Sequence, residues 1–403
     1  MLFISKSKRI YLDYASATPV SPEVQKVMEP YFSQQFGNAG SIHAEGVAAK
    51  MAISGAREKL ARTLHTRQEG IVFTGSGTES NNLAILGTIA VHHKKGVPYE
   101  NMEIISTAIE HPSVLEVLKY ATSLGVGIVY ADVDETGVLD AEALKRMLSK
   151  NTILVSFAYV NSEVGTVQHV NKIARIIRDS EKVFATKIVI HVDAAQAPLW
   201  LPCTLDSLSV DILSLDAGKC YGPKGIGVLV YRHGVELLPI ILGGGQEGGL
   251  RSGTENTALI VGAATAICRA QEQYKKQNES ISKLRDVFIK RLTAIEGVVL
   301  NGSQTQRVAN NINISVPGID SEFAVISLDQ KGIACSTKSA CGGAKGEGSD
   351  VVRILAKDEA RAHSTIRFSL GEATTLLELD KVASILEEHI SRTRMIQQKL
   401  TLK

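Results

Sequence analysis

The sequence predicts an α/β protein with a large domain built on a mainly parallel sheet and a smaller α+β domain beside it. Three observations support this prediction. The chain has 403 residues, short apolar strands alternate with helical segments from about residue 69, and the pattern changes after about residue 256. A chain of this length exceeds one typical domain and can bury a large core.

The region after residue 69 contains seven candidate strands separated by helical stretches. Several of these strands are apolar almost throughout, as expected for strands that are covered on both faces. Alternation of such strands with helices indicates a parallel sheet joined by crossover helices. The candidates are GIVFTG, MEIIST, VGIVYADV, TILVSFAYV, KIVIHVDA, VDILSL and GVLVYR. Upstream, Ser21-Pro22 predicts the start of a helix.

The C-terminal part of the chain has a different pattern. We predict a helical stretch from Asn256 to about Gln277, followed by a second helix and then by short strands and helices. The later elements are the strands VVLNG and NINISV, a helix from Glu322, the strand IRFSL and a last charged helix. We therefore predict a large domain over residues 16–265 and a small domain formed by residues 1–15 and 266–403.

Composition and charge describe an ordinary globular protein. The chain is 44% hydrophobic and 21% charged with a formal charge of +2, so no strong field indicates nucleic acid as a partner. We expect no membrane partner, because no apolar run reaches membrane-spanning length. The opening MLFISKSKR places its basic residues after a very short apolar stretch, the reverse of a secretory signal, so we expect a cytoplasmic location. Five cysteines without a CxxC pair argue against a disulfide framework and a zinc site.

Three segments at the ends of predicted strands carry candidate binding groups. GIVFTGSGTES leads from a strand into a helix, so Ser76, Gly77 and Thr78 present backbone N–H groups and hydroxyls that suit a phosphate. Any tight turn of this kind also favours glycine and serine. Asp193 ends the strand of KIVIHVDA, and Gln196 follows three residues later. Considered alone, Asp193 could simply be a helix N-cap. Lys219 follows another strand, although most lysines are solvated surface residues.

Taken together, these groups supply the three parts of a pyridoxal-phosphate (PLP) site. Such a site requires a lysine that forms a Schiff base, a carboxylate that keeps the pyridine nitrogen protonated, and a phosphate-binding turn. Lys219, Asp193 and the turn at Gly77 are therefore the candidates.

Two further residues are candidates for substrate chemistry. Arg367 lies in an apolar strand, where an unpaired guanidinium is costly, so we expect it to meet a carboxylate of either the protein or a substrate. Cys341 opens the glycine-rich stretch CGGAKGEGS with Lys338 and Lys345 nearby, a setting that favours thiolate. The other four cysteines lie in more apolar sequence and are expected to be inert core residues.

The chain resembles the cysteine desulfurase family of the NifS and IscS types. These are class V PLP enzymes of fold type I. The resemblance runs in the family's order over nearly the whole chain, and it implies a PLP-dependent transferase that converts L-cysteine to L-alanine. The segments that carry it are IYLDYASATP, IEHPSV, YVNSEVGTVQ, HVDAAQ, GKCYGPKGIG, LRSGTEN, STKSACGGAKGEGS and IRFSLGEATT.

The resemblance also implies a role for each site residue. Lys219 would bind PLP as a Schiff base, Asp193 would pair with its pyridine nitrogen, and Gln196 would reach its phenolic oxygen. His111 would stack on the ring and assist proton transfer, although a histidine there could also only cap a helix. Asn161, otherwise a turn residue, would bind the substrate carboxylate. The remaining implied roles fall to Arg367 at the same carboxylate, Gly77 and Thr78 at the phosphate, Thr254 at the phosphate of a neighbouring subunit, and Cys341 as sulfur acceptor.

The implied partners are L-cysteine, a second copy of the chain and a sulfur-acceptor protein. The acceptor could be an iron–sulfur scaffold or a tRNA-thiolation protein. Two rival functions stay open. One is selenocysteine cleavage or another class V PLP reaction, and the other is a scaffold that has lost PLP.

The chain departs from the family at three positions. Asp216 and Gly218 stand where relatives usually have a serine or threonine and a histidine, so two phosphate contacts are lost. A carboxylate at residue 216 is expected to repel the phosphate if it faces it. Gly248 replaces an arginine.

Overall fold

The computed structural model describes residues 9–337 and 348–401. The strands are, in chain order, β1 (Ile10–Tyr11), β2 (Ile71–Thr74), β3 (Glu103–Thr107), β4 (Gly127–Ala131), β5 (Thr152–Ala158), β6 (Val189–Asp193), β7 (Ile212–Asp216), β8 (Gly227–Tyr231), β9 (Val299–Leu300), β10 (Asn311–Ser315), β11 (Ile333–Ala334) and β12 (Thr365–Ser369).

The α-helices lie between these strands and after them. They are α1 (Pro22–Met28), α2 (Pro30–Ser33), α3 (Ala44–Thr63), α4 (Gly77–Lys94), α5 (Pro112–Ser123), α6 (Ala141–Met147), α7 (Val170–Phe184), α8 (Leu205–Leu208), α9 (Thr257–Thr293), α10 (Ser321–Gln330), α11 (Asp350–Ala356), α12 (Glu359–His363) and α13 (Leu376–Thr401). The predicted helix start at Ser21-Pro22 is confirmed, because Ser21 Oγ accepts a hydrogen bond from Val24 N at 3.3 Å. Among the described residues, no helix has the length and apolar character that a bilayer span requires.

A seven-stranded sheet with the order β2-β8-β7-β6-β5-β3-β4 forms the centre of the larger lobe. Strand β8 pairs antiparallel with both of its neighbours, and the other pairings are parallel. Every residue of β2 and β6 is buried, as expected for strands covered by helices on both faces. The predicted fold class, α/β with a mainly parallel seven-stranded sheet, is confirmed.

The smaller lobe contains two short sheets. Strands β12, β10 and β9 form an antiparallel sheet, and β1 pairs in parallel with β11. Because β1 pairs with β11, the start of the described chain lies beside residues more than 300 positions later. The domain boundaries given above stay a prediction.

Helix α9 differs from its sequence prediction. We predicted a stretch that ends near Gln277 and a separate helix after it, whereas α9 continues over 37 residues to Thr293. The sequence between these positions contains no proline or glycine, so nothing in it breaks the helix. The predicted boundary at residue 265 therefore falls inside α9.

One continuous apolar core joins the two lobes. Leu213 of the large sheet, Ile267 and Phe288 of α9, and Ile314 and Phe368 of the small sheet belong to the same cluster of buried residues. Phe288 and Phe368 pack edge to face with ring centroids 5.5 Å apart. Helix α9 thus connects the lobes through its buried side as well as along the chain.

Candidate active site

A cavity of about 170 Å³ opens at the carboxyl ends of the parallel strands. Open α/β sheets place their sites at this edge. Apart from Ser16, the residues that line the cavity lie at or after the ends of five strands, β2, β3, β5, β6 and β7. Seven of the residues predicted from sequence are among them: Gly77, Thr78, His111, Asn161, Asp193, Gln196 and Lys219.

Lys219 ends a 3-10 turn, Ala217–Lys219, directly after β7. The turn is capped by Asp216, whose Oδ1 accepts a hydrogen bond from Gly218 N at 2.9 Å. No other described residue forms a hydrogen bond or an ion pair with the Lys219 amine. An uncommitted amine in a half-buried site is the group that a Schiff base requires.

Asp193 is the last residue of β6 and is buried. Its Oδ1 accepts a hydrogen bond from Ala195 N at 2.9 Å, and its Oδ2 accepts one from Asn81 Nδ2 at 2.8 Å. Donors on both oxygens stabilise the charged form of a carboxylate. Asp193 therefore caps a turn and not the helix that the sequence left open, and it also lines the cavity.

His111 caps helix α5 and also lines the cavity. Its Nδ1 accepts a hydrogen bond from Ser113 N at 3.1 Å and lies 2.8 Å from Ser113 Oγ. Burial lowers the pKa of His111, and the positive charge of Lys219 lowers it further. Gln196 lies across the cavity, where its Nε2 donates to Ala15 O at 2.8 Å.

The turn at Gly77 leads from a strand into a helix, as its sequence predicts. Helix α4 begins at Gly77 after Ser76, whose Oγ accepts from Glu79 N at 3.1 Å. The backbone N–H groups of Gly77 and Thr78 have no partner among the described residues. Two unpaired donors at a helix N-terminus suit an anion.

Asp216 lies against the same helix start. A Cβ atom on Gly77 would lie 3.4 Å from Asp216 Oδ2, and Asp216 lines the cavity. A Cβ atom on Gly218 would lie 3.3 Å from Asp216 Oδ1 and 3.3 Å from Lys224 Cγ. A larger residue at position 218 therefore requires both neighbours to move.

The side chain of Asn161 has a structural role beside its position in the cavity. Its Oδ1 accepts from Glu163 N and Val164 N at 2.9 and 3.0 Å, and its Nδ2 donates to Ile109 O at 2.8 Å. One hydrogen of the amide is not used in these contacts. Asn161 is thus a turn residue that also lines the cavity, and its role at the substrate carboxylate stays a prediction.

Arg367 pairs with a carboxylate of the protein. It is 1% exposed in β12, and its Nη2 lies 2.9 Å from Asp13 Oδ1 and 2.7 Å from Ser16 Oγ. Its Nη1 donates to Ser162 O at 2.9 Å, and its Nε is buried without a partner. Arg367 does not itself line the cavity, but Ser16 and Ser162 do.

Two predicted residues lie elsewhere. Thr254 is exposed in the segment before α9 and does not line the cavity. Cys341 lies outside the described residues, together with Lys338 and Lys345. Burial raises the pKa of the four other thiols, as expected for inert cysteines. They are Cys203, Cys220, Cys268 and Cys335, and the pKa of Cys335 is raised to about 12. No cluster in the described part of the chain is suited to a metal ion.

Sequence reasoning missed several residues of the site. Asn81 and Ser113 line the cavity and join Asp193 to His111, while Asp13 and Ser16 hold Arg367. A signal existed for Asn81, because it lies one helical turn after Gly77 and hence on the same face of α4. Ser113 follows His111 by two residues, the spacing of a side chain that bonds a helix cap.

Comparisons with known proteins place the chain in a class. The model of the class-V aminotransferases matches residues 10–382, so the chain belongs to the class-V aminotransferase family. Within this class it belongs to the cysteine desulfurase family. "Cysteine desulfurase IscS" of Dictyoglomus turgidum is 39% identical over 390 residues, which cover 96% of each chain.

Solved structures agree with this assignment. A NifS-like protein matches with a TM-score of 0.87 and 34% identity, over 95% of this chain and 99% of that one. A structure titled "SspA in complex with cysteine" matches with a TM-score of 0.76 and 33% identity, over 90% of this chain and 98% of the other.

The described residues fit the PLP that the family implies. An uncommitted lysine amine, a hydrogen-bonded carboxylate and two unpaired N–H groups surround one cavity. Asp216, which also lines the cavity, has a charge that would oppose a phosphate at the start of α4.

Proposed function

We propose how the described side chains divide the work of a PLP-dependent cysteine desulfurase, which takes sulfur from L-cysteine and releases L-alanine. One observation carries the proposal. The unpaired amine of Lys219 shares a cavity with Asp193, whose two carboxylate oxygens both accept hydrogen bonds. This is the pair of groups that PLP requires.

PLP, when bound, supplies an electron sink next to the substrate Cα. Lys219 Nζ would hold the cofactor, and its amine, when free, would accept the Cα proton of the substrate. Asp193 would keep the pyridine nitrogen protonated, because a buried carboxylate with two fixed donors favours a cation beside it. His111 would cover the ring, Gln196 would reach the phenolic oxygen, and Gly77 and Thr78 would bind the phosphate.

The substrate carboxylate binds between Asn161 and Arg367. The buried Nε of Arg367 and one amide hydrogen of Asn161 are the donors that protein contacts leave over. Asp13 and Ser16 hold the guanidinium in place through its Nη2 atom. An anion that reaches these donors satisfies groups that are costly to leave unpaired.

Cys341 accepts the sulfur. As a thiolate it attacks the sulfur of the bound cysteine, so a persulfide forms on Cys341 and the C–S bond breaks with its electrons left on the carbon product. Proton uptake then gives L-alanine. The persulfide passes to an acceptor protein, for which an iron–sulfur scaffold and a tRNA-thiolation protein are the candidates. A cytoplasmic location stays a prediction.

A second copy of the chain completes the site. Thr254 is exposed and does not line its own cavity, which supports a role for it in the site of a neighbouring subunit. Glu247 of the segment before Thr254 pairs with Arg57 of α3 at 2.7 Å, which joins that segment to α3. Large exposed apolar side chains lie on α2, on α3 and in the nearby loops, as at a subunit interface: Phe32, Phe36, Ile42, Met51 and Leu242.

Two variants test the proposal. Lys219→Ala should purify without the absorbance band that borohydride removes, and it should form no alanine from cysteine. Lys182→Ala, which removes a surface lysine paired with Asp179, should keep both properties. Desulfurase activity of Lys219→Ala close to wild type would refute the assignment, and absence of the band from the wild-type protein would favour a scaffold without PLP.

The sulfur acceptor is tested in the same assay. Cys341→Ser should keep the absorbance band but gain no sulfur by intact mass after incubation with cysteine, since a serine hydroxyl stays protonated near neutral pH. Cys335→Ser is the matched control, because burial already suppresses that thiolate. Alanine formation by Cys341→Ser at the wild-type rate would move the acceptor role to another residue. An enzyme that releases selenium from selenocysteine but forms no persulfide with cysteine would be a selenocysteine lyase.

A further inference from the structure

A buried chain of hydrogen bonds connects the two side chains proposed to flank the PLP ring. Asn81 Nδ2 donates to Asp193 Oδ2 at 2.8 Å and to Ser113 Oγ at 2.8 Å. Ser113 Oγ lies 2.8 Å from His111 Nδ1. Asn81 is 1% exposed and Ser113 is 8% exposed, so both side chains are buried in the wall of the cavity.

The backbone fixes the direction of the hydrogen bonds at His111 Nδ1. The N–H of Ser113 can only donate, and it donates to His111 Nδ1 at 3.1 Å, so that nitrogen carries no proton. The Ser113 hydroxyl must therefore donate its own hydrogen to Nδ1. Its oxygen is then the acceptor for Asn81, whose amide nitrogen has a second hydrogen for Asp193.

We propose that Ser113 and Asn81 are positioning residues that hold His111 as the neutral Nε2–H tautomer and fix the position of the Asp193 carboxylate. This inference rests on the proposed function, because it concerns the two groups assigned to the cofactor ring. A proton on His111 Nδ1 would point at the hydrogen of the Ser113 N–H, and the two donors would repel each other.

The charges around His111 act together with this geometry. Lys219 and Arg367 disfavour the imidazolium, whereas Asp193 and Asp216 favour it, and burial is the largest influence toward the neutral ring. A neutral His111 keeps a second cation away from the Lys219 amine. It also presents its only N–H from Nε2, the nitrogen that the helix cap does not use.

The test follows the His111 imidazole by NMR in full-length protein with 15N-labelled histidine. The signal is identified by its loss in His111→Gln. We expect wild-type His111 to carry its proton on Nε2 both with and without PLP. In Ser113→Ala the protonation constant of His111 should increase about three- to tenfold, the worth of one neutral hydrogen bond. Ser113→Thr keeps the hydroxyl and should keep the wild-type titration.

A second variant tests the Asp193 end of the hydrogen-bond chain separately from the His111 end. Asn81→Ala should leave the His111 tautomer unchanged, because Ser113 still donates to it, but should lower PLP occupancy at limiting PLP by loosening Asp193. Wild-type His111 protonated on Nδ1, or a titration that is the same in Ser113→Ala and wild type, would overturn the inference. Measurements on PLP-free protein keep this outcome distinct from a failure of the PLP assignment.

Discussion

Asp216 shows how one residue alters the balance of a site without removing its parts. Its carboxylate lies at the start of α4, beside the unpaired N–H groups that suit a phosphate. The same carboxylate caps the turn that carries Lys219 through its bond to Gly218 N. Asp216 therefore has a favourable structural contact and an unfavourable charge in the same place.

Replacing Asp216 should strengthen PLP binding. Asp216→Ser keeps an oxygen able to cap Gly218 and removes the charge, and we expect the Kd of PLP to fall by about tenfold, because like charges a few ångströms apart repel strongly in a half-buried site. Asp216→Asn is the matched control, since it also keeps a capping oxygen without charge. The measurement is titration of PLP-free protein followed by absorbance. Weaker binding in both variants would show that the carboxylate itself supports the cofactor.

Segment 161–168 is the element that joins the two lobes at the cavity. It begins with Asn161 of the proposed substrate site, and the small lobe binds its backbone at several points. Asn311 and Asn313 each donate to Glu163 O at 3.0 Å, and Arg307 donates to Val164 O at 2.7 Å. These bonds fix the position of Asn161 from the side of the small lobe.

Gly165 of this segment packs against Asn311 of the small lobe. Its φ is +75°, and a Cβ atom there would lie 2.6 Å from Asn311 Cβ. Gly165→Ala should cost about 1–2 kcal/mol for the left-handed backbone and roughly 1–3 kcal/mol for the forced contact. Gly234→Ala, at φ +89° with open space around it, should incur only the first cost.

The two glycine variants are compared by thermal unfolding and by the KM for cysteine. We expect the Tm of Gly165→Ala to fall well below that of Gly234→Ala, and its KM to rise because Asn161 shifts. Equal losses of Tm in the two variants with an unchanged KM would mean that segment 161–168 can shift to fit the added methyl group without moving Asn161.

Sequence reasoning predicts what is local and misses what depends on distant partners. Lys219 and Asp193 were found because a parallel strand delivers its last residues to one edge of the sheet. The Arg367–Asp13 pair joins residues 354 positions apart, so no local pattern could choose between a protein and a substrate carboxylate. Asn81 and Ser113 meet only because α4 and α5 pack together at the cavity, which tertiary structure alone decides.

At the scale of the whole molecule, the proposed role of Thr254 means that each PLP site would need residues of both subunits of the proposed dimer. If Thr254 completes the phosphate site of a second copy, mixing mutant subunits should restore a site that neither mutant has alone. Lys219→Ala abolishes its own site, and Thr254→Ala should weaken PLP binding in the neighbouring site. A heterodimer of these two variants then contains one complete site, formed by Lys219 of one subunit and Thr254 of the other.

The heterodimer is isolated with two different affinity tags and assayed for alanine formation at limiting PLP. We expect about half the wild-type activity per dimer, because one of its two sites is complete. The mirror control pairs a Lys219→Ala, Thr254→Ala double variant with a wild-type subunit. In that dimer the only intact Lys219 is in the wild-type subunit, and the neighbouring subunit supplies alanine at position 254. The PLP affinity of this site should therefore match that of the Thr254→Ala protein. If the control is the more active dimer, Thr254 acts within its own subunit, and a monomer in solution would exclude the shared site altogether.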